Sequence, residues 1–397
     1  MHDATTTPLP QTGDPDLADS PYPLAFVAAA GRTGIADETE RAEHTFRCEV
    51  MGIHRFQKEG LVEDTTTGRS WRLPADEGKY LKGTGRAPAP LMHWAAGLHG
   101  DVTTRIARLA DASGITITDL HVTVSQGFAS QGSFARGEAV GLVFDLGWDV
   151  RVISGAAKQQ IEEIVTAALS SSPAHAALTR SREGTFALTT NGKATRVIGV
   201  PASTSPPEAD PFRAHSHRPA PADTEAVPDG VLTILPGSTE RSVMLTDNHS
   251  GTVQWHVAAT GDYDFSSGLV TTAVGFPEAP ADRWQVQTDA SNRLAPSPLS
   301  YFAIGTAFCY HTQLCRYVDV RRMPISSPRL VQTSTFVSAA TAADALPFDT
   351  HLFLRGKIDD ERTRSLLVAA ANTCYAHRAL SVEVESTQTV SVSPGRP

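Results

Sequence analysis

The chain of 397 residues contains a weak internal repeat, which restricts the possible folds more than its composition does. Three pairs of segments match in the same order: 60–62 with 268–270, 86–97 with 294–305, and 173–178 with 375–380. In the longest pair, RAPAPLMHWAAG aligns with LAPSPLSYFAIG and keeps both prolines, the leucine and the glycine. The first two pairs are separated by 208 residues and the third by 202. This regular spacing indicates a duplicated chain with two similar halves.

Composition predicts where the halves begin and end. Residues 1–22 are rich in Thr, Pro and Asp and lack apolar periodicity, which predicts a disordered tail. Residues 201–230 are dense in Pro, Ala and Ser and are typical of a linker between domains. We therefore predict an N-terminal domain at 23–200 and a C-terminal domain at 231–390.

Each half combines alternating apolar segments with two helices. Residues 44–53 and 251–260 alternate with period two, which predicts strands of a half-buried antiparallel sheet. In the second half, Ser297 is a good N-cap and Pro298 suits the first turn of a helix that continues through an apolar run to Val318. A helix that is apolar on most sides is expected in the centre of a fold.

The remainder of the second half predicts further elements. Strands are expected within 329–339 and 348–357, followed by a helix over 360–377 capped by Asp360 and a last strand at 381–387.

The charge and the thiol count exclude several classes of protein. A net charge of −9 argues against nucleic acid or an anionic membrane as partner, because both bind basic surfaces. The absence of a long apolar run and of a positively charged leader predicts a cytoplasmic protein without membrane spans. Because the cytoplasm is reducing, the four cysteines are expected to be catalytic or metal-binding thiols more often than members of disulfides.

Two motifs carry a resemblance to a known family. SPLSYFAIGTAFCYH at 297–311 and LLVAAANTCYAH at 366–377 place one cysteine in a proline-led helix and another near the end of a second helix. This order resembles the OsmC/Ohr family of thiol-dependent peroxidases. The resemblance implies an α+β fold with an antiparallel sheet around a long buried helix in each half. Because two chains of that family intertwine, it also implies an internal pseudo-dimer, with a homodimer of the fused chain left open.

The resemblance implies that Cys309 and Cys374 are the two reactive cysteines. At the same offsets the first half has Asp101 and Ser172, so it would carry no thiol site. The family also uses a Glu directly after the helix-starting proline and an Arg in an early loop. Here the residue after that proline is Leu91 in one half and Leu299 in the other, and Arg55 is the available arginine.

Two histidines lie close to these cysteines in sequence. His377 follows Cys374 by three residues and would share a helical face with it, although His175 occupies the matching position in the half without thiols. His311 follows Cys309 by two residues and so points to the opposite face of a regular helix. Either imidazole could lower the pKa of a reactive thiol, and the sequence leaves the choice open.

The other candidate groups allow simpler interpretations. Cys48 lies in a predicted strand and is read as a core residue. His311 and Cys315 are an i, i+4 pair, which leaves a zinc site open, although the spacing of the thiols does not favour one. A functional role for His93, His99 or Asp101 is also left open, although their spacings of six and two residues do not by themselves turn them towards one pocket.

The leading hypothesis is reduction of organic hydroperoxides through Cys309 and Cys374, with an external dithiol as reductant and no cofactor or metal. Its lipophilic substrate would contact an apolar pocket, with these candidate walls: Phe302, Phe308, Tyr310 and Leu314. The alternatives are a hydrolase in which Cys309 attacks a carbonyl carbon with His311 or His377 as base, and a non-catalytic binder of apolar molecules. Nucleotide-binding, serine-hydrolase and zinc-hydrolase motifs do not occur in the sequence.

Overall fold

The fold is a mixed α+β arrangement of two sheets around central helices, in agreement with the predicted class. The computed structural model describes residues 16–34, 42–213, 219–222, 225, 229–237, 254–326, 328–339 and 341–395. The first fifteen residues of the expected tail and part of the expected linker lie outside these ranges. Leu17, within the expected tail, is buried, and its backbone N–H donates to Gln57 Oε1 at 2.9 Å.

Strands from both halves of the sequence occur in each sheet. The first half contributes β1 (Phe26–Ala29), β2 (Ala42–His54), β3 (Gln57–Asp64), β4 (Arg69–Ala75), β5 (Ile117–Gln131), β6 (Val140–Ser154), β7 (Thr185–Thr190) and β8 (Lys193–Thr195). The second contributes β9 (Leu232–Ile234), β10 (Trp255–Tyr263), β11 (Leu269–Gly275), β12 (Arg283–Asp289), β13 (Arg329–Ser338), β14 (Asp344–Ala345), β15 (Asp349–Leu354) and β16 (Ser386–Ser393).

The larger sheet has the strand order β1-β4-β3-β2-β13-β15-β7-β8, with β14 paired to β13. The smaller sheet has the order β16-β6-β5-β10-β11-β12-β9. Two pairs that join the halves, β15 with β7 and β16 with β6, are parallel, whereas the other ladders are antiparallel. The two halves therefore complete each other's sheets.

The helices of the two halves correspond residue by residue at the offsets of the sequence repeat. They are α1 (Pro90–Ala112), α2 (Lys158–Ser171), α3 (Pro173–Thr179), α4 (Pro298–Val320), α5 (Asp360–Thr373) and α6 (Tyr375–Ser381). Helices α1 and α4 both have 23 residues and begin 208 positions apart. Helices α2 and α5, like α3 and α6, begin 202 positions apart.

Helices α1 and α4 form the centre of the protein. Helix α1 packs on strands β5, β10, β11 and β12 of the smaller sheet, and α4 packs on β2, β3 and β13 of the larger one. The two helices also pack on each other, so both are buried on nearly all sides as their composition predicts. The side chain of Ser297 accepts from the N–H of Ser300, which confirms the predicted N-cap of α4.

The end of the chain differs from the sequence prediction in three places. The side chain that caps α5 is Asp359 and not Asp360, because its carboxylate accepts from the N–H of Arg362. The helix predicted over 360–377 is interrupted at Cys374, whose backbone is extended at φ −72° and ψ 110°. The last strand is β16, which begins at Ser386 and not at residue 381, because α6 continues through that position.

Part of the expected linker is held against the sheets. The carboxylate of Asp210 accepts from Arg329 Nε at 2.7 Å, and Glu208 pairs with Arg47 at 3.1 Å. Within the described residues, no helix combines the length and the apolar character required to cross a bilayer.

Candidate active site

One face of α4 carries the first of the two thiols. Cys309, Gln313 and Arg316 follow each other at spacings of four and three residues, which places them on one side of the helix. All three line a cavity of about 30 Å³ that also contains residues of the first half, among them Glu77 and Leu91. The sequence halves therefore share the walls of this site.

The second thiol, Cys374, lies at the interruption between α5 and α6. Its side chain is entirely buried, whereas Cys309 is 4% exposed and lines the cavity. Burial raises the pKa of the Cys374 thiol well above its usual value, and a hydrogen bond with Cys309 raises it further. The two thiols are thus neighbours, are not joined in a disulfide, and of the two only Cys309 lines the cavity.

His377 contacts the buried thiol. Its Nδ1 atom lies 3.3 Å from the sulfur of Cys374, and its ring packs on those of Tyr310 and Phe186. Burial lowers the pKa of His377 to about 4, so the imidazole is neutral near pH 7. A neutral ring in this position can accept the proton of Cys374, but its contact is with Cys374 and not with Cys309.

The contacts of His311 are directed away from Cys309. Its Nε2 atom lies 2.8 Å from the carbonyl oxygen of Pro328, and its Nδ1 atom lies 3.6 Å from the sulfur of Cys315. Burial lowers the pKa of His311 to about 3. Among the described residues, no group of three or more His, Cys, Asp or Glu side chains is arranged to hold a metal ion, and the His311–Cys315 pair is part of no such group.

The arginine in the cavity is not the one considered from sequence. Arg55 is exposed in the turn between β2 and β3, with a left-handed φ of 49°, and does not line the cavity. Arg316 lines it instead, donates to Gln313 Oε1 at 3.0 Å, and stacks 4.2 Å above the ring of Phe134. A guanidinium on the helix face of Cys309 is suited to stabilising negative charge there.

A buried carboxyl group in the cavity was not predicted. Glu77 follows β4 and accepts hydrogen bonds from Thr312 Oγ1 at 2.9 Å and from the Tyr80 hydroxyl at 2.8 Å. Lys58 Nζ in turn donates to Thr312 Oγ1 at 3.0 Å. Burial raises the pKa of Glu77, and the charge of Lys58 opposes this shift. The only sequence signal is the acidic pair before Gly78, which is ordinary turn composition.

The apolar walls also differ from the expected ones. Phe302, Phe308, Tyr310 and Leu314 are fully buried in the core and do not line the cavity. Its aromatic walls are Tyr80, Trp255, Phe276 and Tyr375. Three of these rings pack on one another with centroids 5.1 to 5.3 Å apart. They come from three separate parts of the chain, which helical periodicity in α4 cannot reveal.

The matching positions of the first half form a polar network. Ser172 Oγ donates to Asp101 Oδ2 at 2.6 Å and accepts from the N–H of His175, so it also caps α3. Arg105 pairs with Asp101 at 3.0 Å. An acid and a hydroxyl therefore meet where the second half has two thiols.

His93 and His99 have separate partners in the core. Nε2 of His93 lies 2.8 Å from the carbonyl oxygen of Pro74, and Nε2 of His99 lies 2.9 Å from that of Val122. Burial lowers the pKa of each ring to about 4. These two histidines and Asp101 are not brought to one pocket. Cys48 is fully buried in β2, and burial raises its pKa.

Comparison with known proteins finds similarity among solved structures. No protein-family model and no curated protein matches the chain. The chain is similar to the crystal structure of an OsmC-like hydroperoxide resistance protein from Jannaschia sp. CCS1, at 22% identity over 39% of this chain and 98% of that one, with a TM-score of 0.26.

Proposed function

We propose that the protein is an OsmC-type thiol peroxidase in which Cys309 attacks a hydroperoxide and Cys374 forms a disulfide with it. The observation that supports this most is the different exposure of two neighbouring thiols. Cys309 lines the cavity, whereas Cys374 is buried behind it at the interruption between α5 and α6. A substrate can reach only the first sulfur, and the second is in position to react with the product.

The proposed reaction has three steps. The thiolate of Cys309 attacks one peroxide oxygen, an S–O bond forms, the O–O bond breaks, and the other oxygen leaves as an alcohol or water after taking a proton. The thiol of Cys374 then attacks the sulfenic acid, which forms the disulfide and releases water. An external dithiol supplies the two electrons that restore both thiols.

The cavity residues have roles that follow from their chemistry. Arg316 and Gln313 provide N–H donors on the face of Cys309, where they stabilise the charge of the thiolate and then the charge that develops on the leaving oxygen. Glu77 supplies the carboxyl group that the family places after the helix-starting proline, a position occupied here by Leu91. His377 accepts the proton of Cys374 when that thiol attacks.

The size of the cavity restricts the part of the substrate that enters. A volume of about 30 Å³ holds little more than one or two water-sized groups. A hydroperoxy group fits beside Cys309, whereas the body of an organic hydroperoxide would lie outside, against Leu81 and Leu91. Hydrogen peroxide and tert-butyl hydroperoxide are therefore expected to react at least as fast as cumene hydroperoxide.

We also propose that the two halves arose by duplication and pack as an internal pseudo-dimer with one redox site. The three helix pairs have equal lengths and nearly constant offsets of 208, 202 and 202 residues, which supports this proposal. The Asp101–Ser172 pair at the matching position cannot cycle between thiol and disulfide.

The decisive experiment compares single cysteine variants in peroxide consumption. Cys309→Ser is expected to abolish consumption. Cys374→Ser should consume one equivalent and then stop, with a sulfenic acid trapped on Cys309. Cys315→Ser, which removes a thiol of the same helix that does not line the cavity, is the matched control and should retain full turnover.

Mass spectrometry of the oxidised wild-type protein should show the Cys309–Cys374 crosslink. Turnover of an ester without dithiol that survives Cys374→Ser would contradict the peroxidase and support a hydrolase. Full peroxide turnover by Cys309→Ser would contradict both enzymatic mechanisms.

A further inference from the structure

A lysine without access to solvent lies next to the thiol site. Lys58 is the second residue of β3, and its side chain is fully buried. Its Nζ atom donates to the carbonyl oxygen of Phe56 at 2.6 Å and to Thr312 Oγ1 of α4 at 3.0 Å. Burying an ammonium group costs free energy unless its charge and its N–H donors are compensated. The steps proposed above give Lys58 no role, so its presence in the core needs another reason.

The hydrogen bonds from Lys58 towards the thiol cavity run in one direction. An ammonium group can only donate, so Thr312 Oγ1 accepts from Lys58 and directs its own proton to Glu77 Oε1 at 2.9 Å. The other carboxyl oxygen of Glu77 accepts from the Tyr80 hydroxyl at 2.8 Å. Glu77 lines the cavity together with Cys309, whereas Lys58 and Thr312 do not line it. Lys58 therefore reaches the cavity through Thr312 and Glu77.

Opposing influences act on the charge of Glu77. Burial raises the pKa of its carboxyl group, the charge of Lys58 and the two hydrogen bonds described above lower it, and the charge of Asp76 raises it. The titratable side chains that line the same cavity from α4 are Cys309 and Arg316. A group that both takes and gives a proton works best when its two protonation states are close in free energy. Without Lys58, burial would keep the carboxyl group protonated.

We propose that Lys58 is a positioning residue that acts through Thr312 and holds Glu77 as the group that carries the proton of Cys309 to the leaving oxygen. This inference rests on the proposed peroxidase function. The carboxylate of Glu77 takes the proton of the Cys309 thiol, and the thiolate attacks the peroxide. The S–O bond forms, the O–O bond breaks, and Glu77 returns the same proton to the leaving oxygen, which departs as an alcohol or water. Glu77 and Lys58 end the step in their starting charge states.

Peroxide consumption by Lys58→Met tests this role, because methionine is of similar length and carries no charge. Near pH 7, kcat/KM should fall at least about tenfold, since a protonated Glu77 cannot take the proton of Cys309. The loss should disappear at high pH, where a thiol ionises without a base. Lys193→Met, which removes an exposed lysine of β8, is the control and should keep the wild-type pH profile. A loss of equal size at every pH would indicate a structural defect alone and overturn the proposal.

Variants of Thr312 test the connection between Lys58 and Glu77. Thr312→Val removes the hydroxyl group with little change of shape and should show the same loss near pH 7 and the same recovery at high pH. Thr312→Ser keeps the hydroxyl group and should retain most of the wild-type rate. Equal rates of the valine and serine variants near pH 7 would refute a role that acts through this hydroxyl.

Infrared spectroscopy of the full-length protein follows the carboxyl group of Glu77 without peroxide. The C=O stretch of its protonated form is identified as the band that is missing in Glu77→Gln. In Lys58→Met this band should persist to higher pH than in wild type, because the opposing positive charge is gone. An unchanged titration in Lys58→Met, while the wild-type protein consumes peroxide, would overturn the role of Lys58 alone. A wild-type protein that consumes no peroxide would instead refute the proposed function and, with it, the proton transfer by Glu77.

Discussion

The carboxyl group of Glu77 is buried beside Cys309 and linked to Lys58 through Thr312. Burial raises its pKa above the usual 4.5, so the fold favours the protonated form. The direction in which the free energy of unfolding changes with pH follows from this raised pKa. The stabilising contribution of the protonated group is fully present below pH 4.5 and is lost as the pH rises through the raised pKa of the folded state.

Glu77→Gln removes this titration. We expect the free energy of unfolding of Glu77→Gln minus that of wild type to increase from pH 4.5 to pH 7.5, because only the wild-type protein loses the stabilising contribution of Glu77. Any hydrogen bond lost in the variant costs about the same at both pH values and cancels in the comparison. Urea unfolding at the two pH values measures the difference. The exposed Glu183→Gln is the control, and an equal response of both variants would contradict the prediction.

At the scale of residues, the sequence predicts that Cys309 and Cys374 lie near each other, but it does not predict the residues around them. Cys309 and Cys374 follow from their motifs, and His377 follows from its spacing to Cys374. Glu77, Tyr80 and Arg316 enter the site only because β4, the loop after it and α4 meet in three dimensions. One sequence contains no local signal for that meeting, so Arg55 was an equally reasonable candidate.

At the scale of elements, α1 and α4 cross at two glycines that lie 208 residues apart. A Cβ atom on Gly97 would lie 2.4 Å from the backbone nitrogen of Phe302, and one on Gly305 would lie 2.5 Å from that of Trp94. These contacts are with backbone, which cannot move aside as a flexible side chain can. The crossing therefore requires a residue without a side chain on both helices.

Gly97→Ala or Gly305→Ala should each lower the free energy of unfolding by about 1 to 3 kcal/mol, because the overpacking exceeds the gain in helix propensity. The control is Gly155→Ala, where an added Cβ meets no atom within 4 Å and a change under about 0.5 kcal/mol is expected. Chemical denaturation measures all three. A neutral or stabilising effect at the crossing would contradict this packing.

The elements were predictable where a local signal marks them. Pro90 and Pro298 mark the starts of α1 and α4, and Ser297 marks a cap. The interruption at Cys374 has no such signal. In the first half Pro173 follows Ser172 and favours its extended backbone, whereas Tyr375 takes the place of that proline in the second half. The extended backbone between the two helices is thus signalled by a proline in the first half, whereas the second half has the same backbone without that signal.

At the scale of the whole molecule, neither half contains a complete sheet. Strand β13 pairs along its length with β2, from Arg329 opposite Met51 to Ser338 opposite Ala42, and β5 pairs in the same way with β10. Strands β15 and β16 add the parallel pairs with β7 and β6. The repeat in the sequence predicts two similar units, but it does not reveal that each sheet needs strands from both.

Cutting the connection between the halves tests this dependence. A protease site inserted at residues 204–207, which are exposed, leaves the ion pairs of Glu208 and Asp210 intact. After cleavage, the two fragments should elute together at the mass of the intact chain, because backbone ladders and the α1–α4 contact hold them. Under the proposed function they should also keep the peroxide consumption of the uncut protein. They should separate only in denaturant, in a single transition. The uncut insertion variant is the control, and fragments that separate in native buffer as folded monomers would show that each half completes its own sheets.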